Sequence, residues 1–306
     1  MLTSFFGKSS PINFLLLGVF ILVFCMLQII LYGEYNFYWL DLIRQISIIL
    51  LLVFSMLLLD FIIRKNYLNT SNTFAIFIFS CVVAMLPVMQ NLGLIVAQFF
   101  LLLALRRIFS MTSEKNMEKK ILDASLWILL ASYFYFWSIL LFLFLYLAIF
   151  RLPKKSIRYP LIPLVSVFGM TLIAMAFFLI KEDSFGWLFK FAKPISFNFK
   201  AYSSIEIIIF LTFFFTVLIW TTFYKISRLS DVPKKLRNNS LLVIFSVITT
   251  VFIVVFSEQK IGTELLFLAA PGAITIAGYL EKEGDAWFKE LLAWVFLVLP
   301  VLFLIL

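Results

Sequence analysis

Thr73–Phe109 reads TFAIFIFSCVVAMLPVMQNLGLIVAQFFLLLALRRIF. It is apolar almost throughout, yet it follows the basic pair Arg64-Lys65 and ends at Arg106-Arg107. Lys and Arg in short loops gather on the cytoplasmic side of a bilayer, so both ends of the stretch are predicted on that side. One crossing cannot return a chain to the side it left. The stretch therefore reads as a hairpin, and Pro87-Val88-Met89-Gln90-Asn91-Leu92-Gly93 supplies its break.

The same reasoning applies to Ala124–Phe150, which lies between Lys119-Lys120 and Arg151, Lys154, Lys155 and Arg158. Its predicted turn is Tyr133-Phe134-Tyr135-Phe136-Trp137-Ser138, giving arms of only about 20 Å against a hydrocarbon core of about 30 Å. Such short arms need shielding by protein or a wet cavity. A single tilted helix is the alternative, and it would invert everything downstream. The other predicted spans are Ile12–Tyr32, Ile46–Ile63, Pro160–Ile180, Ile205–Phe223, Leu241–Phe256, Leu265–Leu280 and Leu291–Leu306. Together they make an all-α polytopic bundle of eleven spans over a single membrane domain, residues 1–306, with the N-terminus cytoplasmic and the C-terminus outside.

Charge segregation supports this arrangement. Nineteen of the 25 Lys and Arg residues fall in the loops assigned inside, whereas the 16 acids divide nine inside and seven outside. The bias is cationic, as orientation requires. Hydrophobic residues make up 64% of the chain and mean hydropathy is +1.10, too apolar for a soluble domain. Strand-like alternation is absent, which argues against a membrane barrel. Residues 1–11 lack a cleavable-signal pattern, so the first apolar run is expected to be a retained span. The composition fits a multi-pass protein of the bacterial inner membrane. Its net charge of +9 belongs to span ends facing anionic lipid rather than to nucleic acid.

Cys25 and Cys81 both lie in apolar runs and suggest neither a disulfide nor a thiolate metal site. Histidine is absent, which removes imidazole bases and His-ligated metals. Chemistry must rest on carboxylates, Lys, Arg, Tyr or oxygen-held metal. Three polar clusters share the predicted outer face: Gly33–Arg44, containing Glu34, Asp41 and Arg44; Lys181-Glu182-Asp183; and Ser257–Glu264, containing Lys260. Glu34 and Asp41 are seven apart and share a face on a helix, here expected to be an interfacial one with aromatics between them. A carboxylate can serve as general base or metal ligand, and a cation can hold phosphate. The plainer reading is that such residues anchor span ends.

Other polar residues have structural readings first. Asp60 is expected to pair with Arg64 at i,i+4. Asp123 suits a helix N-terminus. Gln28, Gln90, Asn91 and Gln98 are amides that line a cavity or cross-link helices. The 39 Phe residues read as lipid-facing bulk.

The order of a span, an acidic outer loop and two short hairpins resembles the GT-C glycosyltransferases. Ala104–Phe109, Trp127–Ser132 and Leu145–Arg151 are similar to the middle hairpin of that superfamily, and Glu264–Pro271 to its late Arg-Tyr-Leu-x-Pro-x-x-Pro segment. Thr3–Phe6, Lys8–Asn13, Arg106–Ser110, Leu122–Ser125 and Glu264–Phe267 are similar to an uncharacterised Bacteroidota inner-membrane family, DUF6427. The GT-C resemblance implies transfer of a sugar from a polyprenyl-phosphate carrier to an acceptor on the outer face. It makes Asp41 or Glu34 the catalytic base, Lys260, Arg44 and Glu264 the substrate and phosphate contacts, and Glu182 and Asp183 ligands of a divalent metal such as Mg or Mn. Glu264 stands where the superfamily often carries a basic residue, and Glu34 and Asp41 are further apart than its usual paired acids. The rival readings are an accessory subunit bound to a protein partner in an inner-membrane complex, and a lipid or solute transporter. Sparse intramembrane charge weighs against the transporter.

Overall fold

The computed structural model describes residues 1–32, 39–70, 72–182, 191–258, 260–282 and 285–305, without the side chains of Tyr32, Glu182, Ala201 and Lys235. Among the described residues the chain is helical and contains no strand, as the absence of water in a bilayer demands. In chain order the helices are α1 (Leu2–Phe6), α2 (Pro11–Tyr32), α3 (Trp39–Asn66), α4 (Phe74–Met85), α5 (Leu92–Phe109), α6 (Met117–Phe134), α7 (Leu141–Phe150), α8 (Arg158–Glu182), α9 (Ile205–Ser227), α10 (Lys234–Phe256), α11 (Leu266–Leu280) and α12 (Ala286–Phe303). Eight of them, α2, α3, α5 and α8 to α12, are long and apolar enough to cross a membrane. The architecture is that of a multi-pass membrane protein.

Both expected breaks lie between helices. α4 ends at Met85, Leu86 turns extended at φ −99° and ψ 150°, and Val88–Gln90 forms a single 3₁₀ turn. Pro87 has no N–H to continue a helix. Asn91 restarts it, its side chain accepting the Leu94 N–H at 3.1 Å. The second break is at Tyr135, extended at φ −146° and ψ 101°, followed by the 3₁₀ segment Phe136–Leu140.

Polar contacts sort the loops into two groups. In one, Arg64 reaches Ser9, Thr70 reaches Glu281, Asn239 bridges Asn66 and Thr112, Arg151 meets Asn238, and Glu290 accepts the N–H groups of Leu2 and Thr3. In the other, Gln28 and Arg44 reach the carbonyls around Pro87, Thr263 donates to the Pro87 carbonyl, and Tyr135 donates to Ser257. The groups share no residue. Each broken stretch starts and finishes in the first group and turns in the second.

Some boundaries differ from the sequence reading. α3 is one helix from Trp39, where the sequence suggested an interfacial helix before a span at Ile46. Its 28 residues extend about 42 Å, so the turn bearing Asp41 and Arg44 projects beyond the apolar core on the same rigid rod. Asp123 does not open α6 but lies in its second turn, paired with Arg107 at 2.8 Å. Asp60 pairs with Arg64 at 2.6 Å. The Phe residues are not only lipid-facing: Phe77, Phe79, Phe109, Phe144, Phe210, Phe214, Phe267 and Phe296 are fully buried. Hydropathy marks these rings as apolar but cannot say whether lipid or protein surrounds them.

α11 is the centre of the bundle, with 89% of its span buried, against 11% for α8. It carries Ala269, Ala270, Gly272, Ala273, Ala277 and Gly278. Small residues let helix backbones approach closely, and close packing is what joins helices where lipid is as apolar as the side chains. A Cβ at Gly272 would lie 2.7 Å from Cζ of Phe214, itself fully buried and stacked on Phe210. Gly272→Ala is expected to lower stability by about 1–3 kcal/mol through overpacking, measured as an earlier thermal unfolding midpoint in detergent. Gly18→Ala, which meets nothing within 4 Å, should leave the midpoint in place.

Candidate functional site

A cavity of about 530 Å³ opens at the end of the bundle marked by the Pro87 turn. Asp41 and Arg44 come to it from the first turns of α3, Gln28 from the last turns of α2, Glu206 from the first turn of α9, and Gln90 from the α4–α5 break. Ile29, Phe303 and Leu304 give one part of the wall an apolar character. The site thus combines two carboxylates, one guanidinium and amides beside hydrocarbon. A volume of this order accommodates a small polar molecule or head group.

The helix break gives the cavity its polar wall. Arg44 donates from Nη2 to the carbonyls of Gln90 at 2.7 Å and Met89 at 3.4 Å. These bonds hold the guanidinium across the mouth of the break and satisfy carbonyls that no longer belong to a helix. Gln28 donates from Nε2 to the carbonyls of Leu86 at 2.8 Å and Ala84 at 3.3 Å. That fixes which end of the amide is nitrogen. Its Oε1 is buried and accepts no hydrogen bond among the described residues.

Lys260 and Glu264 do not line this cavity. They are buried behind it, in the turn between α10 and α11. The Lys260 ammonium donates to the carbonyls of Val255 at 3.0 Å, Ser257 at 2.9 Å and Ser196, and lies 4.7 Å from the centre of the Phe199 ring. Val255 and Ser257 are at the C-terminal end of α10, where a cation meets the negative pole of the helix. Burial pulls the Lys260 pKa below its usual value, and the nearby Glu264 carboxyl opposes that shift. The Glu264 carboxyl accepts the N–H groups of Gly262 at 3.1 Å and Ile261 at 3.2 Å, together with the Tyr202 hydroxyl. Burial is the largest of the effects that raise the Tyr202 and Tyr135 pKa values; both phenols are protonated donors at neutral pH. Gly262, at φ +95°, makes the turn possible; a Cβ there would sit 3.0 Å from Ile207 and 3.3 Å from Pro87, both on the cavity wall. Lys260 and Glu264 are thus engaged by backbone groups and Tyr202 on either side of this turn and do not line the cavity.

Of the residues expected at a site, Asp41 and Arg44 come together. Glu34 and Asp183 lie outside the described residues, as does the side chain of Glu182. No group of three His, Cys, Asp or Glu side chains able to hold a metal ion occurs among the described residues. Cys25 and Cys81 are free and buried. Sequence reasoning missed Glu206. The signal was available: it is an outer-loop acid by the charge assignment, one residue inside a span. It also missed Tyr202 as the partner of Glu264, a pairing between residues 62 positions apart.

The chain belongs to the family of unknown function DUF6427, which matches residues 4–306. No curated protein and no solved structure matches it. Membership brings no activity with it, so the chemistry of the cavity has to be read from its residues. The division between capping and cavity residues is measurable. Lys260→Met and Glu264→Gln should each cost about 3 kcal/mol, since both leave buried partners unsatisfied, and should lower the unfolding midpoint. Asp41→Asn should leave the midpoint unchanged.

Proposed function

We propose that this chain is a bacterial inner-membrane transferase, GT-C-like in character, that moves a sugar from a polyprenyl-phosphate carrier to an acceptor at the periplasmic face. The observation that carries the reading is the cavity itself. A carboxylate at the tip of a long helix, a guanidinium one turn further along and several amides surround a hollow that also has an apolar wall. An accessory subunit would need no such hollow. The orientation rests on the cationic loop bias: eleven crossings, N-terminus cytoplasmic, with the cavity on the periplasmic side.

In this reading Asp41 takes the proton from the acceptor hydroxyl. The hydroxyl oxygen bonds to the anomeric carbon as the bond from that carbon to the phosphate oxygen breaks. The polyprenyl phosphate leaves with the electron pair. Arg44, whose Nε and Nη1 are not used in holding the Pro87 turn, offsets the phosphate charge. Gln45 and Gln90 offer amides to the sugar hydroxyls. The described carboxylates of the cavity, Asp41 and Glu206, do not by themselves make up a metal-binding set.

With a synthetic polyprenyl-phosphate sugar, Asp41→Asn should lower the transfer rate at least about 100-fold, the usual scale of a lost general base. Arg44→Ala should weaken substrate binding. Transfer that survives Asp41→Asn and Glu206→Gln together would overturn the assignment. A membrane-impermeant thiol reagent should label a cysteine placed at position 41 from the periplasmic side. The two native thiols are buried and give little background.

A further inference from the structure

The loops that join Arg64 to Ser9 and, through Asn239, Asn66 to Thr112 lie at the end of the bundle away from the Pro87 turn and its cavity. There α3, α5 and α6 bring cations together. The ring of Phe61 on α3 has the Lys65 ammonium 5.1 Å from its centre and the Arg106 guanidinium of α5 4.7 Å from it. The two charges therefore lie within about 10 Å of each other, roughly one Debye length. Lys120 of α6 is held beside them, donating to the Ser110 carbonyl at 2.6 Å and the Ser113 hydroxyl at 2.5 Å. Burial pulls its pKa below the usual value, and the charges of Arg107 and Lys65 pull it further the same way. Lys65 and Arg107 are thus near enough to repel it.

The acids at this corner are already taken. Asp60 pairs with Arg64 at 2.6 Å, Asp123 with Arg107 at 2.8 Å and Glu118 with Arg158 at 4.0 Å. Lys65, Arg106 and Lys120 have no carboxylate within ion-pair distance among the described residues. Crowded like charges without a counter-charge repel one another, and an anion placed among them removes that cost. The surface next to them is apolar. Leu50, Phe54, Leu57 and Phe61 are exposed and share one face of α3 by their spacing, over a rise of about 16 Å. Val96, Phe99 and Leu103, half-buried, lead at the same kind of spacing to Arg106 on α5. An anionic head and a hydrocarbon tail are the two chemistries this corner fits.

We propose that this corner binds one anionic phospholipid carrying two phosphates, a diphosphatidylglycerol, with its head group among Lys65, Arg106 and Lys120 and its acyl chains along the exposed faces of α3 and α5. Charge decides between lipids. A head group with one phosphodiester would leave two of the three cations uncompensated, and one with two phosphodiesters leaves one. The bound lipid joins α3, α5 and α6 where their own carboxylates do not. The inference is independent of the transferase reading, because it concerns the opposite end of the bundle and none of the cavity residues.

The test is native mass spectrometry of the full chain in mild detergent, titrated with tetraoleoyl diphosphatidylglycerol. One lipid should bind ahead of all others and raise the thermal unfolding midpoint. Lys65→Gln with Arg106→Gln should weaken that first binding by at least about tenfold. Lys155→Gln with Lys282→Gln removes the same charge from two exposed positions elsewhere and should leave it unchanged. Lys65→Gln alone changes a single exposed side chain, so it keeps the fold; it should weaken binding by at least about threefold. Three results would each overturn the inference. The first is equal weakening in the two double variants, which is the mark of diffuse attraction to any basic surface. The second is displacement by dioleoylphosphatidylglycerol at the same phosphate concentration. The third is displacement by inorganic diphosphate, which would make the ligand a soluble anion rather than a lipid.

Discussion

Unpaired backbone groups at broken helices are the constraint on which the rest of this structure depends. A bilayer offers no water to satisfy them, so each interruption has to be closed by side chains. The turn between α10 and α11 shows how. The Lys260 ammonium takes carbonyls at the end of one helix, and the Glu264 carboxyl takes N–H groups ahead of the next. Opposite charges are thus assigned to opposite helix poles. At the Pro87 break the same work is done by Gln28, Arg44 and Thr263. Because α11 begins at the first of these turns and the cavity wall is the second, the packing centre and the candidate site share one set of bonds.

That arrangement explains why function and stability separate as they do. The most buried charges are held by neutral backbone and Tyr202, and they set geometry. Asp41 and Glu206 stand in the first turns of their helices, where the helix dipole favours a carboxylate and where a hollow rather than a packed side chain lies in front of them. Arg44 belongs to both groups. It braces the break through Nη2 and also lines the cavity.

Much of this was legible in the sequence because its rules are one-dimensional. Basic residues at both ends of Thr73–Phe109 require a turn, and Pro87 marks it; the i,i+4 spacing of Asp60 and Arg64 announces a pair that is present at 2.6 Å. Asp41 and Arg44 could be named as candidates because a polar cluster at a span end stands out against apolar helices, and both line the cavity. Lys260 and Glu264 could not be sorted from them. A charged residue in an outer loop looks the same whether it faces a ligand or a carbonyl, and the carbonyls of Ser196 and Val255 are not contiguous in the chain. Phe214 likewise gives no sign of whether lipid or Gly272 lies against it.

The sequence by itself determined that the chain is helical, apolar enough to cross a membrane several times and interrupted at particular points, since hydropathy and proline act locally and need no partner. Only the tertiary structure decided which polar residues are engaged by backbone groups and which line a hollow. Those outcomes depend on distances between residues far apart in the chain, where a bulky ring or a missing Cβ on one helix sets how closely another can approach.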